Sequence, residues 1–275
     1  MYTFFKDISD KYVLIVAVCL RIYIVNEMFP LLNRNYFRMS PLRLVTLDVT
    51  NTLIKVLGGV GSNYANVASI YGVKAEPEQL DATFRIVYKQ YTTQYPNFGV
   101  SHGLTSMQWW DKVAKDTFAG VNCDPVALDR VSKHLYMHFS TSQGWELVPD
   151  AAQTIAQIKQ AGLRVGVISN FDQRLEKILT TLSLRHYFDF VLCSSDIKIA
   201  KPDIEIFKLA LEKANVHPEE AIHIGDNVTN DYFGARQAGL NALLLWEANK
   251  TVPENVSKEH VIYSLGEILS HLQFK

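Results

Sequence analysis

RLVTLDVTNTL, residues 43–53, passes from a run of apolar and β-branched residues straight into a polar turn. A short apolar run bounded by turn residues reads as a buried strand, and the turn after this one opens on a carboxylate, Asp48. Four more such runs lie far downstream, at 163–168 (LRVGVI), 188–192 (FDFVL), 221–224 (AIHI) and 242–246 (ALLLW). Helical patterns at 151–161, 173–182, 204–214 and 230–238 separate them. Asp172 and Asp203 stand at helix starts, and Gly162 and Gly239 come just after helix ends. Strands alternating with helices predict crossover units and an α/β fold with a doubly wound parallel sheet.

The stretch 59–144 breaks this alternation. It carries four helical patterns, at 64–71, 77–91, 106–118 and 125–139, and no comparable strand run. Asp124-Pro125 is a cap followed by a first-turn proline for the last of them. An all-helical module is therefore predicted, inserted into an α/β core made of 41–58 and 145–275. Gly58, Gly59 and Gly61 on one side and Gly144 on the other are candidate hinges. Residues 1–40 are read as an extension outside the fold. Their most apolar stretch, 12–25, is interrupted by Arg21 and falls short of the roughly 20 residues of a spanning helix. The arginines beyond it give a faint transit-peptide character.

Composition narrows the function classes. The 275 residues are 48% hydrophobic and 20% charged, enough for a packed core. Lys+Arg at 27 against Asp+Glu at 28 leaves a net charge of −1, so no basic field draws the chain to nucleic acid or an anionic membrane. Cys19, Cys123 and Cys193 are far apart and odd in number. That argues against a disulfide scaffold or a zinc ribbon and for a reducing, intracellular compartment, the cytoplasm.

In open parallel sheets ligands bind outside the carboxyl ends of the strands. The segments just past the predicted strands are Asp48-Val49-Thr50-Asn51-Thr52, then Ser169-Asn170, then Gly225-Asp226 with Asp231 further on, and Lys201-Pro202 in the loop after 188–192. Carboxylates, a hydroxyl and a lysine thus converge on one rim. Crowded carboxylates need a cation, and an oxygen-only ligand set suits Mg²⁺. A neighbouring lysine can hold an anionic group or restrain a carboxylate nucleophile.

These four segments, in this order, resemble the motifs of the haloacid dehalogenase-like superfamily over residues 43–270. A helical insert between the first and second motifs resembles that family's type-one cap. The resemblance implies a hydrolase acting on a small phosphorylated molecule. Asp48 would be the nucleophile and would form an aspartyl-phosphate. Mg²⁺ would be held by Asp48, the main-chain carbonyl of Thr50 and Asp226, with Asp231 supporting. Ser169 and Asn170 would bind the phosphoryl oxygens, and Lys201 would neutralise charge between nucleophile and phosphate.

Thr50 departs from the pattern. Phosphatases of the superfamily usually carry an aspartate there as general acid and base, and a threonine has no proton to exchange near neutral pH. Losing a positioned acid/base typically costs about 10²–10⁴ in rate. Three readings result: a slow phosphatase, a phosphatase that takes its acid from elsewhere, or a catalytically weak protein that binds phosphate, metal or a protein partner. Dehalogenase chemistry, which needs no metal, fits the Gly225-Asp226 pair less well.

Plainer roles exist for each residue. Asp48 and Ser169 could be turn groups, Lys201 a solvated lysine, and Asp226 or Asp231 a cap for the helix near Asn230. Asp172 reads as a helix cap. His134 and His138 share a helix face without an acid between them and read as a solvated or half-buried pair. Trp109 and Trp110 read as module core, and the turn 95–102 as the segment facing substrate.

Overall fold

The computed structural model describes residues 41–272, so the readings of 1–40 lie outside the described residues. Eight strands are found there: β1 (Leu44–Leu47), β2 (Ile54–Val56), β3 (Trp145–Leu147), β4 (Arg164–Ser169), β5 (Phe190–Cys193), β6 (Ala221–Gly225), β7 (Asn241–Leu245) and β8 (Val261–Ile262). Six of them form one sheet in the order β5–β4–β1–β6–β7–β8, with every pairing parallel. The order reverses at β1, which lies between β4 and β6. The doubly wound sheet expected from the alternating pattern is present.

Side chains alternate across this sheet with the two-residue period of a strand. Val45 and Leu47 of β1 face a core that includes Ile155, Val165, Ile178 and Ile268. Leu44 faces the other way, with Ile168, Phe207 and Leu244. The flanking helix Ile204–Ala214 starts where its cap dictates, with Asp203 accepting from Glu205 N–H. Gly162 and Gly239 take φ of 82° and 88° after helix ends, a conformation glycine adopts without steric cost.

The inserted module is four helices, α1 (Val60–Ile70), α2 (Pro77–Gln94), α3 (Ser106–Thr117) and α4 (Pro125–His138). Thr105 and Gln108 close a reciprocal capping box on α3, and Asp124 accepts from Ala127 N–H at the start of α4, each cap contributing about 1 kcal/mol. Two small cores hold the module, one around Tyr64, Phe118 and Leu135 and another around Trp109 and Val113. The patterning missed the neck. There β2 and β3 pair antiparallel, each three residues long, and three residues are too few to show a period. Of the predicted hinge glycines, Gly58 and Gly59 do take left-handed φ, 67° and 87°. Gly61 serves close packing instead, since a Cβ there would lie 2.0 Å from Pro77 O. Among the described residues no helix is long and apolar enough to cross a membrane.

Candidate active site

The register of the sheet brings the predicted residues together. Leu47 lies opposite Val167 on one side and Ile224 on the other, so the residues just past β1, β4 and β6 share one rim. Asp48 comes directly after β1, Ser169 ends β4, and Gly225 ends β6 with Asp226 next. The backbone N–H of Asp48 is fixed by Ile224 O at 2.9 Å. The turn after it is tight: Val49 O accepts from the N–H groups of Thr52, Leu53 and Ile54. Asn51 takes a left-handed φ of 62°, which asparagine tolerates.

Lys201 is the hub of the rim. Its Nζ lies 2.7 Å from Asp48 Oδ1, 2.6 Å from Asp231 Oδ1 and 2.6 Å from Ile168 O. All three ammonium protons are thereby used. Asn170 pins the lysine's main chain: Lys201 N–H donates to Asn170 Oδ1 at 2.8 Å, and Asn170 Nδ2 donates to Lys201 O at 2.9 Å. Two further residues of the centre were not singled out from sequence. Thr52, fully buried, donates to Asp48 Oδ2 at 3.3 Å. His223, a buried residue inside β6, places Nε2 3.2 Å from Asp231 Oδ1. In an apolar-looking run such as AIHI a histidine gives no signal of which neighbour it will meet.

Asp48, Asp226 and Asp231 each offer an oxygen within 4.8 Å of the others, and no other such cluster of histidine, cysteine or acidic side chains occurs among the described residues. Burial lifts the Asp48 carboxyl to about 6, against the pull of Lys201. Burial, reinforced by the charges of Asp48 and Asp231, lifts Asp226 to about 7. Burial also pushes Asp231 upward, but the Lys201 ammonium and the hydrogen-bonded His223 ring outweigh it and hold this carboxyl well below the usual range. Asp226 is the acid without a basic partner; its contact is Asn51 Nδ2 at 3.4 Å. Carboxyls crowded this closely destabilise one another's charge, a cost that a cation would relieve, and hard oxygen donors of this kind fit Mg²⁺.

The plainer roles hold for some residues and fail for others. Asn227, not Asp226 or Asp231, caps the following turn, accepting from the N–H groups of Thr229 and Asn230. Ser169 Oγ is a buried side-chain oxygen with no hydrogen-bond partner, which is unusual for a mere turn hydroxyl. Asp172 does not cap the helix Leu175–Thr181, whose N-cap position is Arg174 without a side-chain cap; it accepts instead from the backbone N–H and the guanidinium of Arg174. His134 meets the Tyr71 hydroxyl and His138 meets Asn63, so neither joins a metal cluster.

The family model for haloacid dehalogenase-like hydrolase matches residues 42–239, a span that contains this whole rim and the inserted module. The chain belongs to the haloacid dehalogenase-like hydrolases. It is similar to the haloacid dehalogenase-like hydrolase domain-containing protein 3 of Homo sapiens, with 41% identity over 236 residues, covering 84% of this chain and 94% of that protein. It is also similar to the rhythmically expressed gene 2 protein of Drosophila melanogaster, with 33% identity over 243 residues, covering 82% and 94%. Among solved structures, a dehalogenase superposes with a TM-score of 0.65 at 25% identity, covering 86% of this chain and 99% of that one.

In this haloacid dehalogenase-like hydrolase the rim opens into a cavity of about 580 Å³, roofed by the helical cap. Trp110 lines it, whereas its neighbour Trp109 is fully buried in the cap core. Of the turn 95–102 only Phe98 reaches the cavity. Arg174, which patterning did not flag, crosses from the core. It grips Asp172 through Nε at 2.8 Å and Nη2 at 2.7 Å, with its guanidinium 4.4 Å from the Tyr136 ring centroid.

Proposed function

We propose that the protein is a Mg²⁺-dependent phosphomonoesterase that works through an aspartyl-phosphate at Asp48. The observation that carries the reading is Ser169 Oγ, a buried hydroxyl without a partner, lining the same cavity as the Asp48–Lys201 pair. A phosphoryl oxygen would satisfy it. Asp48, Asp226 and the main-chain carbonyl of Thr50 would hold Mg²⁺, with Asp231 supporting through its neighbours; the ion would supply positive charge to the phosphoryl group. Its absence from the dehalogenase mechanism is why the acid cluster favours phosphate over halide chemistry.

In the first half-reaction an Asp48 carboxylate oxygen attacks phosphorus, and the phosphorus–oxygen bond to the leaving group breaks. In the second, water attacks the same phosphorus, the bond to Asp48 breaks, and phosphate leaves. Lys201 keeps Asp48 ionised and oriented, and its charge compensates the phosphoryl oxygens. Ser169 positions one of those oxygens, and Asn170 acts by fixing the main chain of Lys201. Thr50 lines the cavity where an acid/base would stand. Apart from the three clustered carboxyls, the ionisable lining residues are Lys201, Arg174 and tyrosines, side-chain types that ordinarily exchange their protons far above neutral pH. That favours slow turnover over a borrowed acid. Thr50 also supports a second reading, a weakly catalytic protein that binds phosphate and metal.

The deciding experiment monitors an aryl phosphate with and without Mg²⁺, beside Asp48→Asn. Mg²⁺-dependent turnover lost in the variant supports the esterase. Binding of Mg²⁺ and phosphate with no turnover of any monoester moves the conclusion to the binding protein.

A further inference from the structure

The cap side of the cavity has an unusual chemistry for a site that handles phosphate esters. Nine of the lining side chains are aromatic, among them Tyr64, Phe84, Tyr88, Phe98, Trp110 and Tyr136. None of the cap residues that line it carries a charge. The one cation near that wall, Arg174, is spent: Asp172 accepts from it twice, and its face lies on the Tyr136 and Trp110 rings at 4.4 and 5.1 Å. Asp172 is equally committed, accepting from Trp110 Nε1 at 2.7 Å as well. A second anionic group on the substrate, or a sugar rich in hydroxyls, would find few partners on this wall. A flat apolar ring would find stacking faces.

Two polar points remain. The Tyr64 and Tyr88 hydroxyls have no hydrogen-bond partner among the described residues. Both tyrosines line the cavity, Tyr64 buried within the cap and Tyr88 at its exposed rim. They remain neutral donors for an uncharged polar edge.

Thr50 points the same way from a different direction. Without an acid to protonate it, an alkoxide leaving group is poor, whereas a phenol ionises near pH 10 and departs as phenolate unaided. We infer that this site, on the phosphoryl-transfer reading above, takes aryl phosphate monoesters whose ring is uncharged, the aromatic wall of the cap seating the ring and Thr50 sparing the acid that a phenolic leaving group does not need. The phosphorus–oxygen bond to the ring breaks, its electron pair stays on the phenolate oxygen, and the phenolate takes a proton from water. The aspartyl-phosphate then waits for water that has no base to activate it, so the second half-reaction is the slow one.

The test uses the full chain with Mg²⁺. Inorganic phosphate binding, read by calorimetry, first reports whether the phosphoryl site exists. 2-Naphthylmethylphosphonate is then expected to bind roughly thirtyfold tighter than methylphosphonate, from the ring surface buried. 2-Naphthyl phosphate should release a burst of naphthol, one equivalent per protein, before slow turnover. 2-Naphthylmethyl phosphate, which has the same ring but an alcohol leaving group, should bind without a burst, and glucose 6-phosphate should do neither. Tyr88→Leu, at the exposed rim, should cut the preference for the naphthyl phosphonate about threefold to tenfold with phosphate binding retained. Equal affinity for the two phosphonates, with phosphate bound, would overturn the aromatic substrate class and leave the esterase standing. A burst from the alcohol ester as large as from the phenol ester would overturn the role given to Thr50. No phosphate binding at all would overturn the esterase, and the substrate class with it.

Discussion

The indole N–H of Trp110 donates to Asp172 Oδ2 at 2.7 Å, joining the cap to the α/β core at the edge of the cavity. The bond reaches an acid that is fully buried and already paired with Arg174. A second tie lies nearby, where Asn97 Nδ2 donates to Ser194 O at 2.9 Å and Ser194 Oγ donates to Asn97 Oδ1 at 2.7 Å. The cap is thus fastened over the rim by polar groups that reach buried partners, Asp172 and Ser194, where an unmet partner is costly.

Removing Asp172 should therefore cost more than removing the bond to it. Asp172→Ala strands the Arg174 guanidinium, and unfolding in urea should show a loss of about 3–5 kcal/mol. Trp110→Phe keeps a ring but leaves one acceptor unmet, at a cost of about 1–3 kcal/mol. Equal losses for the two variants would mean that the Arg174 charge finds another partner.

Thr50→Asp restores an acid/base at the cavity. Hydrolysis of the aspartyl-phosphate should quicken by about 10²–10⁴, so that steady-state turnover rises and the naphthol burst shrinks. Stopped-flow traces of wild type and variant would measure both. A variant that binds Mg²⁺ and phosphate yet remains slow would show that the defect lies elsewhere than at residue 50.

Much of this rim was legible in the sequence because a parallel sheet converts order along the chain into position. Once β1 is set between β4 and β6, Asp48, Ser169 and Asp226 must neighbour one another, and Asp124 and Asp203 cap helices through local geometry alone. What depended on tertiary contact was not legible. Trp109 and Trp110 are adjacent on α3, and periodicity does not say that one fills the cap core while the other meets Asp172. Asp226 was indistinguishable from a helix cap until Asn227 was seen to take that role. His223 and Arg174 act through partners eight residues away or on another element, and the ribbon of β2 and β3 is too short to have a pattern.

The carboxyl cluster predicts how pH acts on the metal-free protein. Asp48 and Asp226 are raised from 3.8 to about 6 and about 7, so between pH 4 and 7 the folded chain holds protons that the unfolded chain has released. Their contribution to stability is full below the unfolded value and is lost as pH rises through the folded values. Asp231, held low, works in the opposite sense, and its contribution is lost only in acid below the unfolded value. Mg²⁺ needs Asp48 and Asp226 ionised and so competes with their protons. Thermal melts should show a larger Mg²⁺-induced rise in Tm at pH 8 than at pH 5. An equal or larger rise at pH 5 would remove these two acids from the metal site.

Gly225 offers the most local test of the Lys201 hub. A Cβ on it would lie 2.2 Å from Asp231 Cγ and 2.3 Å from Asp231 Oδ2, and that carboxylate can step aside only by giving up bonds it accepts from Lys201, His223 and Asn227 N–H. Gly225→Ala should cost about 1–3 kcal/mol by overpacking and should also weaken Mg²⁺ binding, since the displaced Asp231 no longer shares Lys201 with Asp48. Gly58→Ala is the control. Its φ of 67° makes alanine strained by about 1–2 kcal/mol, but a Cβ there meets nothing within 4 Å. The two variants are thus expected to lose similar stability in urea, with Mg²⁺ affinity falling only for Gly225→Ala. A Gly225→Ala protein with unchanged Mg²⁺ affinity would show that Asp231 can leave Lys201 without disturbing Asp48 and Asp226.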